Sequence, residues 1–161
     1  MPLQRVATIG VYGFDAERFF AAVVDAKVDL FCDIRARRGV RGRDYAFANA
    51  RRLEQQLAQL GIAYKHFPEL APTSEIRALQ HAADSSAGVA KRSRSELTPA
   101  FIAMYEQLLD QPQARAALEE IHETSSAPLL LCVERAPTAC HRSIAADRLA
   151  GTAVTVEHLV P

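Results

Sequence analysis

Residues 129–149 read LLLCVERAPTACHRSIAADRL, and they join the end of an apolar run to the start of a helix. The run LLLCV is almost continuously apolar, which is typical of a central strand in a parallel sheet. A proline-containing loop follows, and residues 139–149 then show helical periodicity that ends before Gly151. This strand–loop–helix unit is the starting point for predicting the fold.

Alternating strand and helix signals surround this unit along the rest of the chain. Strands are predicted at residues 6–11, 28–35, 62–67 and 154–159, and helices at residues 15–26, 46–61, 75–83, 97–109 and 113–123. The alternation predicts a single α/β domain over residues 1–161, a doubly wound, mostly parallel five-stranded Rossmann-like sheet with helices on both faces. Residues 84–95 are small, polar and basic, and we expect a mobile loop there.

Polar and reactive side chains follow three of the predicted strands. They are Tyr12 after the first strand, Asp33, Arg35 and Arg37 after the second, and Glu134, Cys140, His141 and Arg142 after the fourth. Ligands of doubly wound sheets bind beyond the carboxyl ends of the strands. In the common strand order 3-2-1-4-5 these three strands are neighbours, so we expect their end residues to share one crevice.

Composition excludes several classes of protein. No apolar stretch approaches the roughly 20 residues that cross a bilayer, and the N-terminus lacks the apolar core of a signal peptide. The three cysteines are too few for a disulfide framework. These features predict a cytoplasmic protein with reduced thiols and no membrane partner. A formal net charge of zero gives the whole chain no long-range attraction to nucleic acid.

Positive charge is nonetheless concentrated in RARRGVRGR, residues 35–43, which holds five arginines. Such a patch can bind phosphate groups even on a neutral protein. The alternative is an ordinary solvated loop, and the sequence leaves both interpretations open.

Cys140 lies where the last predicted helix begins, with Thr138 as the expected N-cap. The unpaired amides of a helix N-terminus, together with His141 and Arg142, lower the pKa of a thiol and activate it as a nucleophile. The same amides and Arg142 also suit a bound anion without covalent chemistry. A structural interpretation, with a buried cysteine and an internally paired arginine, stays open beside these two.

Two carboxylates, Asp33 and Glu134, end apolar strands, where unpaired charge is rarely buried. Each can act as a general base or accept a ribose hydroxyl. Each can equally form an internal pair with Arg35 or Arg142. The catalytic candidates are therefore Cys140, His141, Glu134 and Asp33, and the phosphate-binding candidates are Arg35, Arg37, Arg142 and Tyr12.

No metal site is predicted. Adjacent Cys140 and His141 cannot easily both reach one ion, even if His66 at the end of the third strand joined them. Cys32 and Cys132 lie inside strands and are interpreted as core residues.

The first strand-to-helix turn leaves the cofactor undetermined. It contains Gly10 and Gly13 but lacks the third glycine of the dinucleotide fingerprint, and no P-loop lysine follows. The two glycines indicate a tight turn. Tyr12 between them can stack on a base or simply pack.

Segments along nearly the whole chain resemble, in order, the domain of unknown function 488 family. They are TIG, VDLFCDIRARR, GIAYKHFPEL, the spaced Phe101, Tyr105 and Leu108, and LLLCVERAPTACHRSIAADRLA followed by VEHL. The most specific element is Cys-x-Glu…Cys-His-Arg at Cys132, Glu134, Cys140, His141 and Arg142, and Asp33-x-Arg35 also matches.

The chain departs from this pattern at three places. Val11 and Tyr12 stand where the family often has histidine and serine, Ala71 and Pro72 where it has two glycines, and Ala36 where a proline is usual. The resemblance implies an α/β fold and a site at the matched residues. It implies no activity, because the family is named for lacking one.

Two classes of function remain. One is an enzyme acting on a phosphate-bearing substrate, a nucleotide or nucleic acid. Arg35, Arg37 and Arg142 would hold phosphate, and Cys140 or His141 would act as nucleophile or acid–base group. The other is a non-catalytic nucleic-acid binder that uses residues 35–43. A third interpretation is a redox-responsive thiol at Cys140. The sequence does not predict the oligomeric state.

Overall fold

The described residues form five strands that run parallel in a single sheet: β1 (Val6–Ile9), β2 (Leu30–Asp33), β3 (Ala63–His66), β4 (Pro128–Leu131) and β5 (Val156–Leu159). The computed structural model describes residues 2–90 and 94–161. The predicted α/β architecture is confirmed.

The strand order is β3-β2-β4-β1-β5. The order 3-2-1-4-5 is therefore wrong, because β4 lies between β2 and β1. Leu129 pairs with Phe31 on one side and with Ala7 on the other. The apolar β4 is buried along its whole length and suits the centre, whereas β3 and β5 carry charged residues and half-exposed positions that suit edges.

Helices cover both faces of the sheet. On one face, α1 (Ala16–Asp25) and α2 (Ala50–Gln59) pack residues such as Phe19 and Leu53 against Phe31. On the other, α3 (Ser74–Ala87), α4 (Pro99–Leu109), α5 (Pro112–Thr124) and α6 (His141–Ala150) pack against residues such as Leu130. Among the described residues, no helix combines the length and the apolar character needed to cross a membrane.

The boundaries of two helices, α6 and α3, differ from the predictions. Thr138 is not the N-cap of α6, because its hydroxyl donates to the Ser95 carbonyl at 2.6 Å and Cys140 takes the cap position. The helix α3 continues through Ala87 and ends at Gly88, whose φ is 69°. It thus occupies the first part of the predicted 84–95 loop, and residues 91–93 of that loop lie outside the described residues.

The carboxylate of Asp29, just before β2, aligns β2 with β4. It accepts hydrogen bonds from the Ser125 hydroxyl, from the Ser126 amide at 3.0 Å and from the Ala127 amide at 3.3 Å. Burial raises the pKa of Asp29, but these hydrogen bonds outweigh it and hold the pKa below the ordinary 3.8.

We expect Asp29→Ala to lower the free energy of unfolding by about 1 kcal/mol at pH 7, because several amide and hydroxyl donors lose their acceptor. A carboxylate with a depressed folded-state pKa stabilises above its unfolded pKa of 3.8, and this contribution is lost as pH falls through the lower folded value. Urea titrations at neutral and strongly acidic pH should therefore separate the variant from wild type only at neutral pH. The exposed Asp25→Ala serves as the control.

Candidate functional site

A cavity of about 890 Å³ opens at the carboxyl ends of the strands. Its lining includes five arginines among the described residues: Arg35, Arg37, Arg41, Arg77 and Arg94. Asp84 and Glu134 are the carboxylates of that lining. The cavity wall is therefore predominantly cationic.

Six of the eight predicted site residues line this cavity: Tyr12, Arg35, Arg37, Glu134, Cys140 and His141. Asp33 and Arg142 do not belong to the lining. The expectation that residues after β1, β2 and β4 share one crevice holds for these six, although β4 rather than β1 lies centrally.

Asp33 and Arg35 form a buried forked ion pair. The Arg35 Nε donates to Asp33 Oδ1 and Nη2 donates to Oδ2, both at 2.8 Å. The Tyr64 hydroxyl also donates to Oδ2, at 2.6 Å. Asp33 is 0% exposed, and its two oxygens are occupied by these donors. Asp33 therefore orients Arg35, and this geometry gives no support to its predicted role as a general base.

The remaining terminal nitrogen of Arg35, Nη1, is buried and has no hydrogen-bond partner among the described residues. A guanidinium stays charged in proteins, and a buried donor without an acceptor is costly. An unsatisfied group of this kind calls for an explanation, such as an ion or ligand that completes its hydrogen bonds.

Arg142 is fully buried and faces backbone, not the cavity. Its Nη1 donates to the Glu134 carbonyl, its Nη2 to the Arg135 carbonyl at 3.2 Å, and its Nε to the Thr8 hydroxyl at 3.4 Å. These bonds tie the loop after β4 to β1. This geometry gives no support to the predicted phosphate contact from Arg142, because each of its three side-chain nitrogens already donates to an acceptor.

Gly10 makes this arrangement possible. A Cβ at this position would lie 2.0 Å from the Glu134 carbonyl oxygen and 2.9 Å from Arg142 Nη1. Gly10 therefore permits close approach of two backbone segments, whereas Gly13, with a φ of 92°, serves the turn that was predicted for both.

The Glu134 carboxylate belongs to an ion-pair network that crosses the cavity wall. Arg94 donates from Nη2 to Glu134 Oε1 and from Nη1 to Asp84 Oδ2, both at 2.8 Å. Gln80 supports Asp84 through a 2.8 Å hydrogen bond. Sequence reasoning missed Arg94, Asp84 and Gln80, because only the folded chain brings α3 and residue 94 to the end of β4.

Two thiols and one imidazole converge on the cavity wall. The His141 Nδ1 lies 3.5 Å from Cys132 Sγ and 3.9 Å from Cys140 Sγ. These three atoms all lie within 4.8 Å of one another, and the three residues are buried. The other ring nitrogen of His141, Nε2, lies 3.0 Å from the Ile34 carbonyl oxygen and donates to it.

This cluster corrects two premises of the sequence argument. The side chains of the adjacent Cys140 and His141 do lie close enough to share one ion with Cys132. This is possible because Cys140 has the extended backbone of an N-cap, with φ −137° and ψ 142°. Cys132 is buried as predicted, but it also lines the cavity and joins the cluster. His66 does not, since its Nε2 bonds the Arg35 carbonyl at 2.7 Å.

The pKa values of the three residues in the cluster shift in different directions. Burial raises the pKa of Cys140, but the hydrogen bond from Cys132 and the positive charges of His141 and Arg142 hold that pKa well below its ordinary value. Burial raises the pKa of Cys132 well above its ordinary value. Burial lowers the pKa of His141, but the charge of Cys140 outweighs this and raises it. The two shifts have a common cause, because negative charge on Cys140 and positive charge on His141 stabilise each other.

Comparison with curated proteins and with solved structures found no match. Residues 15–149 match the family described as "Domain of unknown function DUF488". The matched region contains every predicted site residue except Tyr12. It also contains the Cys132, Cys140 and His141 cluster and the Arg94 network. Because the match covers most of the chain, the protein belongs to the DUF488 family.

Proposed function

We propose that the protein binds a phosphate-bearing small molecule, of the nucleotide class, in the cavity at the carboxyl ends of the strands. The observation that carries this proposal is Arg35, whose Nη1 is buried without a partner among the described residues while the side chain lines the cavity. Asp33 already takes the Nε and Nη2 donors. An anionic oxygen at Nη1 would complete the hydrogen bonding of the guanidinium.

The charge balance of the cavity also favours an anion. The two carboxylates that the described part of the chain contributes to it, Asp84 and Glu134, both bond Arg94. Arg37, Arg41 and Arg77 add positive charge from the loop after β2 and from α3. Converging guanidinium groups are the usual means of holding phosphate.

The size of the cavity favours a small ligand over a polymer. A volume of about 890 Å³ falls within the range of roughly 300–1,000 Å³ that is common for small-molecule sites. Tyr12 in the lining offers an aromatic face for a base. Part of the 35–43 stretch is also engaged elsewhere, since Arg38 pairs with Glu54 at 2.8 Å.

Isothermal titration with inorganic phosphate, AMP and a short oligonucleotide at low salt tests the proposal. We expect AMP to bind, and Arg35→Met to weaken its binding at least about tenfold, because a charge-assisted hydrogen bond contributes about 1.5–3 kcal/mol. Arg37→Met tests the same cavity without breaking the buried pair, and it should also weaken binding.

Arg148→Met is the matched control, because Arg148 pairs with Asp110 on the surface and does not line the cavity. It removes the same charge and should leave AMP binding unchanged. The proposal fails if wild type binds none of the three probes. It also fails if Arg37→Met and Arg148→Met weaken binding equally, which would indicate a general charge effect.

A further inference from the structure

The two sulfurs of the cluster both face a single imidazole nitrogen. Cys132 Sγ lies 3.5 Å and Cys140 Sγ 3.9 Å from His141 Nδ1. A ring nitrogen has either one lone pair or one hydrogen, so it forms one good hydrogen bond at a time. In the metal-free cluster the Cys132 thiol has other acceptors, Glu134 Oε2 and Cys140. A shared cation would use both sulfurs and the nitrogen at once.

We propose that Cys132, Cys140 and His141 bind a divalent transition-metal ion, zinc being the ion that this donor set favours. Two thiolates and one imidazole are soft and borderline ligands of the kind that select zinc over magnesium or calcium. Two thiolates also neutralise a doubly charged ion, so the buried cluster would carry no net charge.

The distances agree with a tetrahedral ion. Zinc bonds of about 2.3 Å to sulfur and about 2.0–2.1 Å to nitrogen place a sulfur and a nitrogen ligand about 3.6 Å apart at the tetrahedral angle. The two sulfur–nitrogen separations of 3.5 and 3.9 Å lie close to this value. Each sulfur–nitrogen pair therefore needs only a small shift to coordinate one ion.

The surroundings of His141 also match a metal-binding histidine. Such a residue donates its second ring N–H to a carbonyl or carboxylate, which fixes the tautomer and leaves the first nitrogen for the metal. The Ile34 carbonyl accepts from Nε2 at 3.0 Å. The same peptide unit is held from its other end, because the Arg35 amide donates to Asp33 Oδ1 at 3.2 Å.

The three ligands leave the fourth position to the cavity. All three residues line the cavity. The Cys132 thiol donates to Glu134 Oε2 at 3.6 Å, but Arg94 holds the Glu134 carboxylate through its other oxygen. Three protein ligands with an open fourth position are typical of catalytic rather than structural zinc sites. A water or a ligand oxygen in the cavity would then complete the coordination.

Metal binding is tested by titrating the reduced, metal-free full chain with Co²⁺. We expect one ion per chain and a near-ultraviolet thiolate-to-cobalt charge-transfer band that Zn²⁺ abolishes. Cys140→Ala and Cys132→Ala should lose the band. Cys32→Ala is the matched control, because Cys32 is a buried strand cysteine that lies outside the cluster, and it should keep the band.

A second measurement uses wild type alone, so that it stands even if a cluster variant does not fold. Zn²⁺ should protect Cys132 and Cys140 from a small alkylating reagent, as read by mass spectrometry of the modified peptides. Absence of the cobalt band, or equal alkylation with and without Zn²⁺, overturns the proposal. The result is independent of the AMP titration, since loss of binding in Arg37→Met leaves the metal ligands intact.

Discussion

Asp33→Asn should lower the free energy of unfolding by about 3–5 kcal/mol, because it leaves the Arg35 guanidinium as a buried charge without its counter-ion. In the native protein both carboxylate oxygens accept from Arg35, and Oδ2 also accepts from Tyr64. An asparagine must turn its NH₂ group toward one of these sets of donors. The substitution therefore loses charge and also places donor against donor.

Urea unfolding at neutral pH, followed by circular dichroism, measures this effect. Glu54→Gln is the control, because it breaks the Arg38–Glu54 pair, whose side chains are 36% and 45% exposed, and should change stability by less than about 1 kcal/mol. The double variant Asp33→Asn, Arg35→Met should recover part of the loss, since it removes the stranded charge. A single-variant loss below about 1 kcal/mol would contradict the role given to the pair.

Gly10→Ala should destabilise the protein by about 3–5 kcal/mol, through overpacking and the loss of a charge-assisted hydrogen bond. The added methyl carbon would lie 2.0 Å from the Glu134 carbonyl oxygen, which is backbone and cannot rotate away. Relief of the clash must move that carbonyl, which is the acceptor for Arg142 Nη1. The effect thus spreads to the loop that carries Glu134 and leads to Cys140.

Gly39→Ala is the matched control, since its Cβ would meet nothing closer than Asn49 Oδ1 at 3.9 Å. We expect it to change stability by no more than about 0.5 kcal/mol. Thermal unfolding of the two glycine variants beside wild type gives the comparison. Equal midpoints for Gly10→Ala and Gly39→Ala would show that the β1 and β4 loops can separate at little cost.

The fold class could be predicted because its evidence is local. Apolar runs such as LLLCV and helical periodicity such as that of Phe19 and Val23 depend on near neighbours along the chain. The strand order could not be predicted from the sequence, because parallel strands pair residues that are distant along the chain. No local pattern distinguishes β1 beside β2 from β4 inserted between them.

The site was predictable in position but only partly in role. The end-of-strand rule led to six residues that line the cavity. It could not show that Arg142, on the first turn of α6, points toward Thr8 and the Glu134 carbonyl. It also could not show that Cys132, next to the core residue Leu131, belongs to the thiol–imidazole cluster. Side-chain direction at an element boundary depends on the loop geometry, which residue spacing does not encode.

The position of β1 makes folding depend on the C-terminal part of the chain. Its two partners are β4 and β5, so that Ala7 pairs with Leu129 and Val6 with Val156. By contrast, β2 and β3 pair with each other across the single crossover that contains α2. Contacts between such distant residues slow folding, because a large loop must close before they form. During synthesis, β1 therefore leaves the ribosome well before either of the strands with which it pairs.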